Sequence, residues 1–149
     1  TTLHVSGLYQ GEEIYKKTHV HHPCSVWTRS SFNNYTWLTM YFKALLNEYS
    51  FRWPGRNHKS GALLPIFERF QFAEIDITNI KFVNCAKNKS IGVDLSESSD
   101  VFTAYTTYLN IKWSNDIAAG RPPKFTNRTQ PAPSRNILSY VDDDSILKW

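Results

Sequence analysis

The stretch from Ser31 to Arg52 restricts the fold more than any other part of this 149-residue chain. Apolar and aromatic residues recur there at spacings of three and four, which is the period of one face of an α-helix. These residues are Tyr35, Leu38, Tyr41, Phe42, Leu45, Leu46 and Tyr49. Ser31 can cap the start of the helix, and Pro54-Gly55 stops it. The sequence therefore predicts an amphipathic helix over about residues 31 to 52.

A second helix is predicted over about residues 100 to 118. Ser99 or Asp100 can cap it, and Gly120 ends it. Its residues at helical spacing are Val101, Tyr105, Tyr108, Leu109, Lys112 and Trp113. Between the two helices, GALLPIFERFQF predicts a short helix in spite of its internal Pro65, whereas EIDITNIKFVN alternates apolar and polar residues as a short strand or an extended strap does.

The composition is that of a globular chain, with 41% hydrophobic, 15% aromatic and 20% charged residues. The length fits one domain with one core, and no run approaches the roughly 18 apolar residues of a membrane span. We therefore predict a mainly α, single compact domain over residues 1–149 that has no membrane segment. Its two principal amphipathic helices would be joined by extended, aromatic-rich segments. Cys24 and Cys85 lie far apart and are expected to be reduced thiols of an intracellular protein.

The segment HVHHPCSVWTRSSFNNYTW, residues 19 to 37, concentrates polar and aromatic chemistry ahead of the first long helix. Its possible zinc ligands are His19, His21, His22 and Cys24. In an extended segment these ligands would point in pairs to opposite sides, so one ion could not easily collect all four. In the alternative interpretation, His22-Pro23 starts a helical turn while Cys24 and Trp27 enter the core. We predict no metal and no other cofactor.

The net charge of +4 is modest, but the cations are concentrated in two loops. One loop carries Arg52, Arg56, His58 and Lys59, and the other carries Arg121, Lys124, Arg128 and Arg135. Loops that concentrate cations suit contacts with phosphates, although a solvated basic loop is the simpler alternative.

Glu48 and Arg52 lie one helical turn apart, where they could form an ordinary surface pair worth a few tenths of a kcal/mol. They could also belong to a polar cleft in which a carboxylate stabilises a developing positive centre while cations hold phosphates. The other members of that cleft would be Arg29, His22, His58 and Lys59. Such a cleft would suit an enzyme that acts on nucleic acid.

Two series of residues resemble a family of small tailed-phage proteins. The first series is His22-Pro23-Cys24, Trp27, Arg29, Asn34-Tyr35, Trp37-Leu38, Glu48-Tyr49, Arg52 and His58-Lys59-Ser60. The second series is Ala104-Tyr105, Tyr108-Leu109, Trp113, Asp116, Pro123-Lys124 and Asn127-Arg128. The resemblance covers about residues 18 to 131, and members of this family are often labelled pyrimidine-dimer DNA glycosylases of the endonuclease V type.

The resemblance implies an enzyme that attacks the sugar C1′ with its N-terminal α-amine, forms an imine and eliminates the 3′ phosphate, helped by one glutamate. Thr1 would supply the amine in this chain. Glu48 is the expected glutamate because it lies within the matching motif, whereas Glu12 and Glu13 lie outside it. The family also carries an N-terminal segment with a Cys-Asp-Lys-His-Val type motif that has no counterpart here, so we expect this chain to lack that segment.

The leading hypothesis is a DNA repair or processing enzyme of the phage type, a glycosylase or abasic-site lyase that acts on double-stranded DNA in the cytoplasm of an infected host cell. The candidate catalytic residues are Glu48, His22, His58 and Thr1. The candidate nucleic-acid-binding residues are Arg29, Arg52, Arg56, Lys59, Lys124 and Arg128. Trp27, Tyr35 and Trp37 would form core or base-stacking surface. The alternatives are a non-enzymatic phage interaction or virion-associated protein, and a zinc-dependent hydrolase.

Overall fold

The computed structural model describes residues 2–6, 11, 14–70 and 76–129. Helices predominate and the sheet has two short strands, so the predicted mainly α fold is confirmed. The two principal helices are present as α3, Phe32–Arg52, and α5, Val101–Ala118. The chain divides into two compact units between Val83 and Asn84. That residues 1–149 form a single domain stays a prediction.

The first unit is built around α3. Its other α-helices are α1, Thr2–Ser6, α2, Pro23–Ser30, and α4, Leu64–Glu68. Two 3₁₀-helices span Lys59–Leu63 and Ile77–Asn79. Helices α2 and α4 pack against α3, and α1 packs against α2. The helix predicted in GALLPIFERFQF is therefore confirmed as a 3₁₀ turn followed by α4, while residues 71 and 72 lie outside the described residues.

The chain turns sharply between α2 and α3 at Ser31. The Ser31 hydroxyl accepts a hydrogen bond of 3.1 Å from the backbone N–H of Asn34, which confirms the predicted cap. The buried Asn34 amide donates to the carbonyl of Trp27 at 2.8 Å and to the hydroxyl of Ser30 at 3.1 Å. These bonds satisfy a buried polar group and fix the angle between the two helices.

The buried face of α3 is more polar than the sequence indicated. Its buried residues are Asn34, Tyr35, Thr36 and Thr39, whereas Leu38, Tyr41 and Leu45 of the predicted apolar stripe are exposed. The Thr39 hydroxyl donates to the carbonyl of Tyr35 at 3.1 Å, so its polar atom is satisfied inside the helix. The phenol of Tyr35 donates to the carbonyl of Phe67 at 3.1 Å and ties α3 to α4.

Three aromatic rings join α2, α3 and the segment after the second 3₁₀-helix. Trp27 lies 5.9 Å from Trp37 and 5.5 Å from Phe82, and Trp37 lies 4.8 Å from Phe82, between ring centroids. The indole N–H of Trp27 also donates to the carbonyl of Lys81 at 2.7 Å. Residues 80–86, here called the strap, carry no regular secondary structure, so no strand forms over residues 80–84 of EIDITNIKFVN. The 3₁₀ turn before the strap was not predicted, and residues 74 and 75 lie outside the described residues.

The second unit combines α5 with a short hairpin. Strand β1, Lys87–Asn88, pairs antiparallel with β2, Val93–Asp94, across a 3₁₀ turn at Lys89–Ile91. Gly92 closes that turn at φ +67°, a conformation that favours glycine. The Tyr105 hydroxyl accepts a hydrogen bond of 3.2 Å from the backbone N–H of Cys85, which holds the segment before β1 against α5.

We expect the second unit to lose stability in acid because its carboxylates are held in the charged form. A hydrogen bond from Lys87 lowers the pKa of Asp94 to about 2, and hydrogen bonds from Thr103 lower the pKa of Asp100, the cap of α5. A lowered folded pKa stabilises the fold above the ordinary value of 3.8, and that contribution disappears as the pH falls through the folded pKa. The midpoint temperature of thermal unfolding should therefore be constant from pH 6 to about pH 4 and decrease between about pH 4 and pH 2.

Asp100→Asn is the matched variant, because its amide oxygen can still cap α5 but cannot titrate. Its unfolding midpoint should resemble that of the parent at neutral pH and depend less on acid. An acid dependence unchanged by this substitution would contradict the role of the cap.

Candidate functional site

The predicted pair of Glu48 and Arg52 is present at the C-terminal end of α3. Arg52 Nε lies 2.7 Å from Glu48 Oε1, and the two side chains are 27% and 32% exposed, respectively. Because both groups are partly withdrawn from water, this pair is electrostatically stronger than a fully exposed helix pair. Arg52 thereby fixes the orientation of the Glu48 carboxylate.

The chain reverses after α3 and brings an imidazole back to the helix. Gly55 adopts φ +77°, and the N–H of Arg56 donates to the carbonyl of Trp53 at 3.0 Å. The ring of Tyr49 lies 4.7 Å from Trp53 and 5.1 Å from His58. We call Glu48, Tyr49, Arg52, Trp53 and His58 the α3-end cluster.

Two cations follow the α3-end cluster along the chain. Arg56 lies in the reversal and Lys59 begins the 3₁₀-helix, and both residues are exposed. Within the part of the chain that the structure describes, neither side chain forms an ion pair. Both charges therefore lie at the protein surface.

The cluster borders a depression of about 320 Å³ that the sequence did not indicate. It is lined by Leu46, Ser50, Asn57, His58, Gly61 and Ala62. Leu46 and Ser50 come from α3, and the remaining lining residues come from the segment that folds back after Gly55. The sequence predicts only that Leu46 and Ser50 lie on one face of α3, because their spacing is i,i+4. Which residues lie opposite them depends on how the chain reverses after α3.

Both candidate catalytic histidines cap helices. His22 Nδ1 accepts a hydrogen bond of 3.2 Å from the N–H of Cys24, and His58 Nδ1 accepts one of 3.2 Å from the N–H of Ser60. An Nδ1 that accepts carries no proton, so the neutral imidazole has its proton on Nε2. Each ring therefore presents a hydrogen-bond donor at Nε2. The prediction that His22-Pro23 starts a helix is confirmed.

Arg29 and His22 belong to α2 and the turn before it. Arg29 Nη1 donates to the carbonyl of Val20 at 2.7 Å and so holds that turn. Trp37, which contacts α2 through Trp27, precedes Glu48 by eleven residues, or about 16 Å along the helix. The structure thus gathers Glu48, Arg52 and His58 at one end of α3, whereas His22 and Arg29 cap and brace α2.

The basic segment of the second unit follows α5. The Asp116 carboxylate accepts hydrogen bonds from Lys112 at 2.7 Å and from Arg121 at 3.1 Å. The hydrogen bond from Lys112 lowers the pKa of Asp116. Lys124 and Arg128 are exposed, as expected of loop cations. Arg121 is thus held by a carboxylate, which the grouping of cations in the sequence had not indicated.

Several candidates lie outside the described residues. They are Thr1, Glu12, Glu13 and Arg135. The catalytic role expected for Thr1 therefore stays a prediction.

The histidine-rich segment is not extended, and the alternative interpretation of it is confirmed at His22-Pro23 but is wrong for Cys24. His19 has φ +48°, and its carbonyl accepts a hydrogen bond from the N–H of His22 at 3.0 Å, so the segment turns and is not extended. Cys24 is exposed, so its predicted place in the core is wrong: it lies in the first turn of α2, directly after the exposed Pro23. Among the described side chains, no three of the His, Cys, Asp and Glu residues form a group that could hold a metal ion.

No helix within the described residues is long and apolar enough to cross a bilayer. No protein family, curated protein or solved structure matches this chain. The α3-end cluster therefore has to be interpreted from its own chemistry.

Proposed function

We propose that this protein is a DNA-processing enzyme of the phage type, a glycosylase or abasic-site lyase that acts at the α3-end cluster. The observation that carries the proposal is one carboxylate, Glu48, oriented by Arg52 at the C-terminal end of α3, the helix end at which Tyr49 contacts Trp53 and after which two exposed cations follow along the chain. A carboxylate can stabilise a positively charged intermediate, while separate cations hold the phosphates of the strand. The proposal implies an intracellular protein that meets double-stranded DNA in an infected host cell.

The proposed reaction proceeds through an imine. An amine of the protein attacks the C1′ aldehyde of the opened abasic sugar and releases water, which leaves a protonated imine. Glu48 removes the C2′ proton, the C2′–H electrons form the new double bond, and the 3′ phosphate leaves with the electrons of its C–O bond. The resemblance nominates Thr1 as the residue that supplies this amine. His58 can donate a hydrogen bond from Nε2.

The basic segment of the second unit is a further proposed phosphate contact, through Lys124 and Arg128. Both side chains are exposed, and their contribution would be independent of sequence.

A protein-interaction module is the second candidate function, and one observation favours it. Leu38, Tyr41 and Leu45 form an exposed apolar stripe at helical spacing on α3. A stripe of this kind is typical of a surface that packs against another protein. Such an interaction would depend weakly on salt, which distinguishes it from binding to DNA.

Removing the two exposed cations should weaken binding to DNA and reduce its dependence on salt. For the double variant Arg56→Ala, Lys59→Ala, we expect the slope of log affinity against log salt to flatten by about 1.8, because each lost phosphate contact contributes about 0.9. Fluorescence anisotropy with a labelled duplex at several salt concentrations measures this slope.

The matched control is the double variant Lys16→Ala, Lys17→Ala, which removes the same charge from two exposed neighbouring residues of the same unit. It should leave the slope almost unchanged. Equal flattening by both double variants would mean that only the net charge matters and would contradict a site at the α3-end cluster.

A further inference from the structure

We infer that the indole of Trp53 is a stacking platform for an unpaired base, so that the α3-end cluster binds single-stranded DNA in preference to a closed duplex. This inference rests on the proposed function, because it assumes that DNA is the ligand, and it specifies which form of DNA the site accepts. Trp53 was not among the residues that the sequence nominated for stacking.

The indole of Trp53 is held in place and yet exposed. The backbone N–H of Trp53 donates to the carbonyl of Tyr49 at 2.9 Å and caps α3, and its ring lies 4.7 Å from the ring of Tyr49. Tyr49 is in turn supported by the edge-on contact with His58. Trp53 nevertheless remains 36% exposed. A ring fixed in this way loses little conformational entropy when a flat ligand stacks on it.

The tryptophans that the sequence nominated are already engaged within the fold. Trp27 and Trp37 contact each other and Phe82, and the indole N–H of Trp27 is bonded to the chain. Their rings serve to join α2, α3 and the strap. Among the described residues, the ring of Trp53 instead contacts Tyr49 of α3, and its carbonyl accepts a hydrogen bond from the reversal that follows it.

The charges around Trp53 favour a nucleic acid over an apolar partner. Arg56 and Lys59 follow it by three and six residues, are exposed, and form no ion pair among the described residues. An aromatic face together with exposed cations is the combination by which proteins bind single strands, since bases stack while phosphates contact the cations. In a closed duplex the faces of the bases are covered by their neighbours, so an aromatic ring can reach them only where a base is unpaired.

The test compares two tryptophans of similar exposure. Trp53→Ala should weaken binding of a labelled oligothymidylate of about 12 nucleotides by about 5- to 150-fold, whereas Trp53→Phe should retain most of the affinity. Trp113→Ala is the control, because Trp113 is 38% exposed and lies in the other unit, and it should bind as the parent does. Circular dichroism of each variant establishes that it is folded.

Salt dependence separates stacking from charge. Trp53→Ala should lower the affinity at every salt concentration and leave the slope unchanged, whereas Arg56→Ala, Lys59→Ala should flatten it. If the parent binds single strands no better than a closed duplex, or if Trp53→Ala binds oligothymidylate as tightly as Trp113→Ala does, the inference is wrong. If Trp53→Ala binds as tightly as Trp113→Ala but Arg56→Ala, Lys59→Ala still flattens the salt slope, the proposed binding of DNA stands. The exposed indole would then be assigned to a protein contact.

Discussion

Glu48→Gln is expected to reduce strand cleavage at an abasic site by at least about a hundredfold, because glutamine is isosteric but can neither accept the C2′ proton nor balance a positive imine. Binding of the abasic duplex should change little, since the phosphates are held by other residues. The thermal midpoint should also remain close to that of the parent, because an ion pair on a helix surface contributes less than about 1 kcal/mol. Single-turnover cleavage of a labelled duplex measures the rate.

Glu68→Gln is the matched control for this experiment. Glu68 is also a glutamate paired with a cation, at 3.1 Å from Lys43, but it lies on α4 away from the cluster residues in sequence. It should cleave as the parent does. If both variants cleave normally, Glu48 is only the partner of Arg52 in a helix pair; if Glu48→Gln unfolds, the pair is structural.

Trp27→Ala is expected to destabilise the first unit by about 3 kcal/mol, at the lower end of the range for removing a packed aromatic residue because this side chain is only partly buried. The substitution removes ring contacts with Trp37 and Phe82 and leaves the carbonyl of Lys81 without its donor. The strap would lose its attachment to α2. Urea unfolding followed by circular dichroism measures the change in the free energy of unfolding.

Two variants separate packing from hydrogen bonding at this position. Trp27→Phe retains a ring but lacks the indole N–H, so it should destabilise the unit by about 1 kcal/mol, which is the share of the hydrogen bond in the loss expected for alanine. Trp113→Ala removes an exposed tryptophan and should lie within about 0.5 kcal/mol of the parent. A loss for Trp27→Ala no larger than that for Trp113→Ala would contradict the assignment of the aromatic rings as the joint between these elements.

Both long helices were predictable because their start and stop residues act locally. Ser31 and Asp100 cap with their own side chains, and the proline and glycine residues that follow end the helices whatever the rest of the chain does. The buried face of α3 was harder to predict, because threonine hydroxyls bond to the backbone inside the helix and so enter the core at little cost. Hydrophobic spacing alone therefore selected the exposed residues Leu38, Tyr41 and Leu45 and missed the buried Thr36 and Thr39.

The candidate site was predictable only in part, for a similar reason. The Glu48–Arg52 pair follows from the helical spacing, and the cations follow from the composition of the loop. The contact of His58 with Tyr49 depends on how the chain turns at Gly55, which spacing does not give. The same turn exposes Trp53, and the only hint in the sequence was an aromatic residue placed between Arg52 and the Pro-Gly break.

The proposed enzyme activity is tested most directly by trapping its covalent intermediate. The protein is incubated with duplex DNA that carries an abasic site, borohydride is added, and the product is analysed by mass and peptide mapping. Borohydride reduces an imine to a stable amine, so we expect a covalent adduct of protein and DNA, and peptide mapping identifies the amine that forms it. No adduct from a folded protein that binds the same duplex would contradict the imine chemistry.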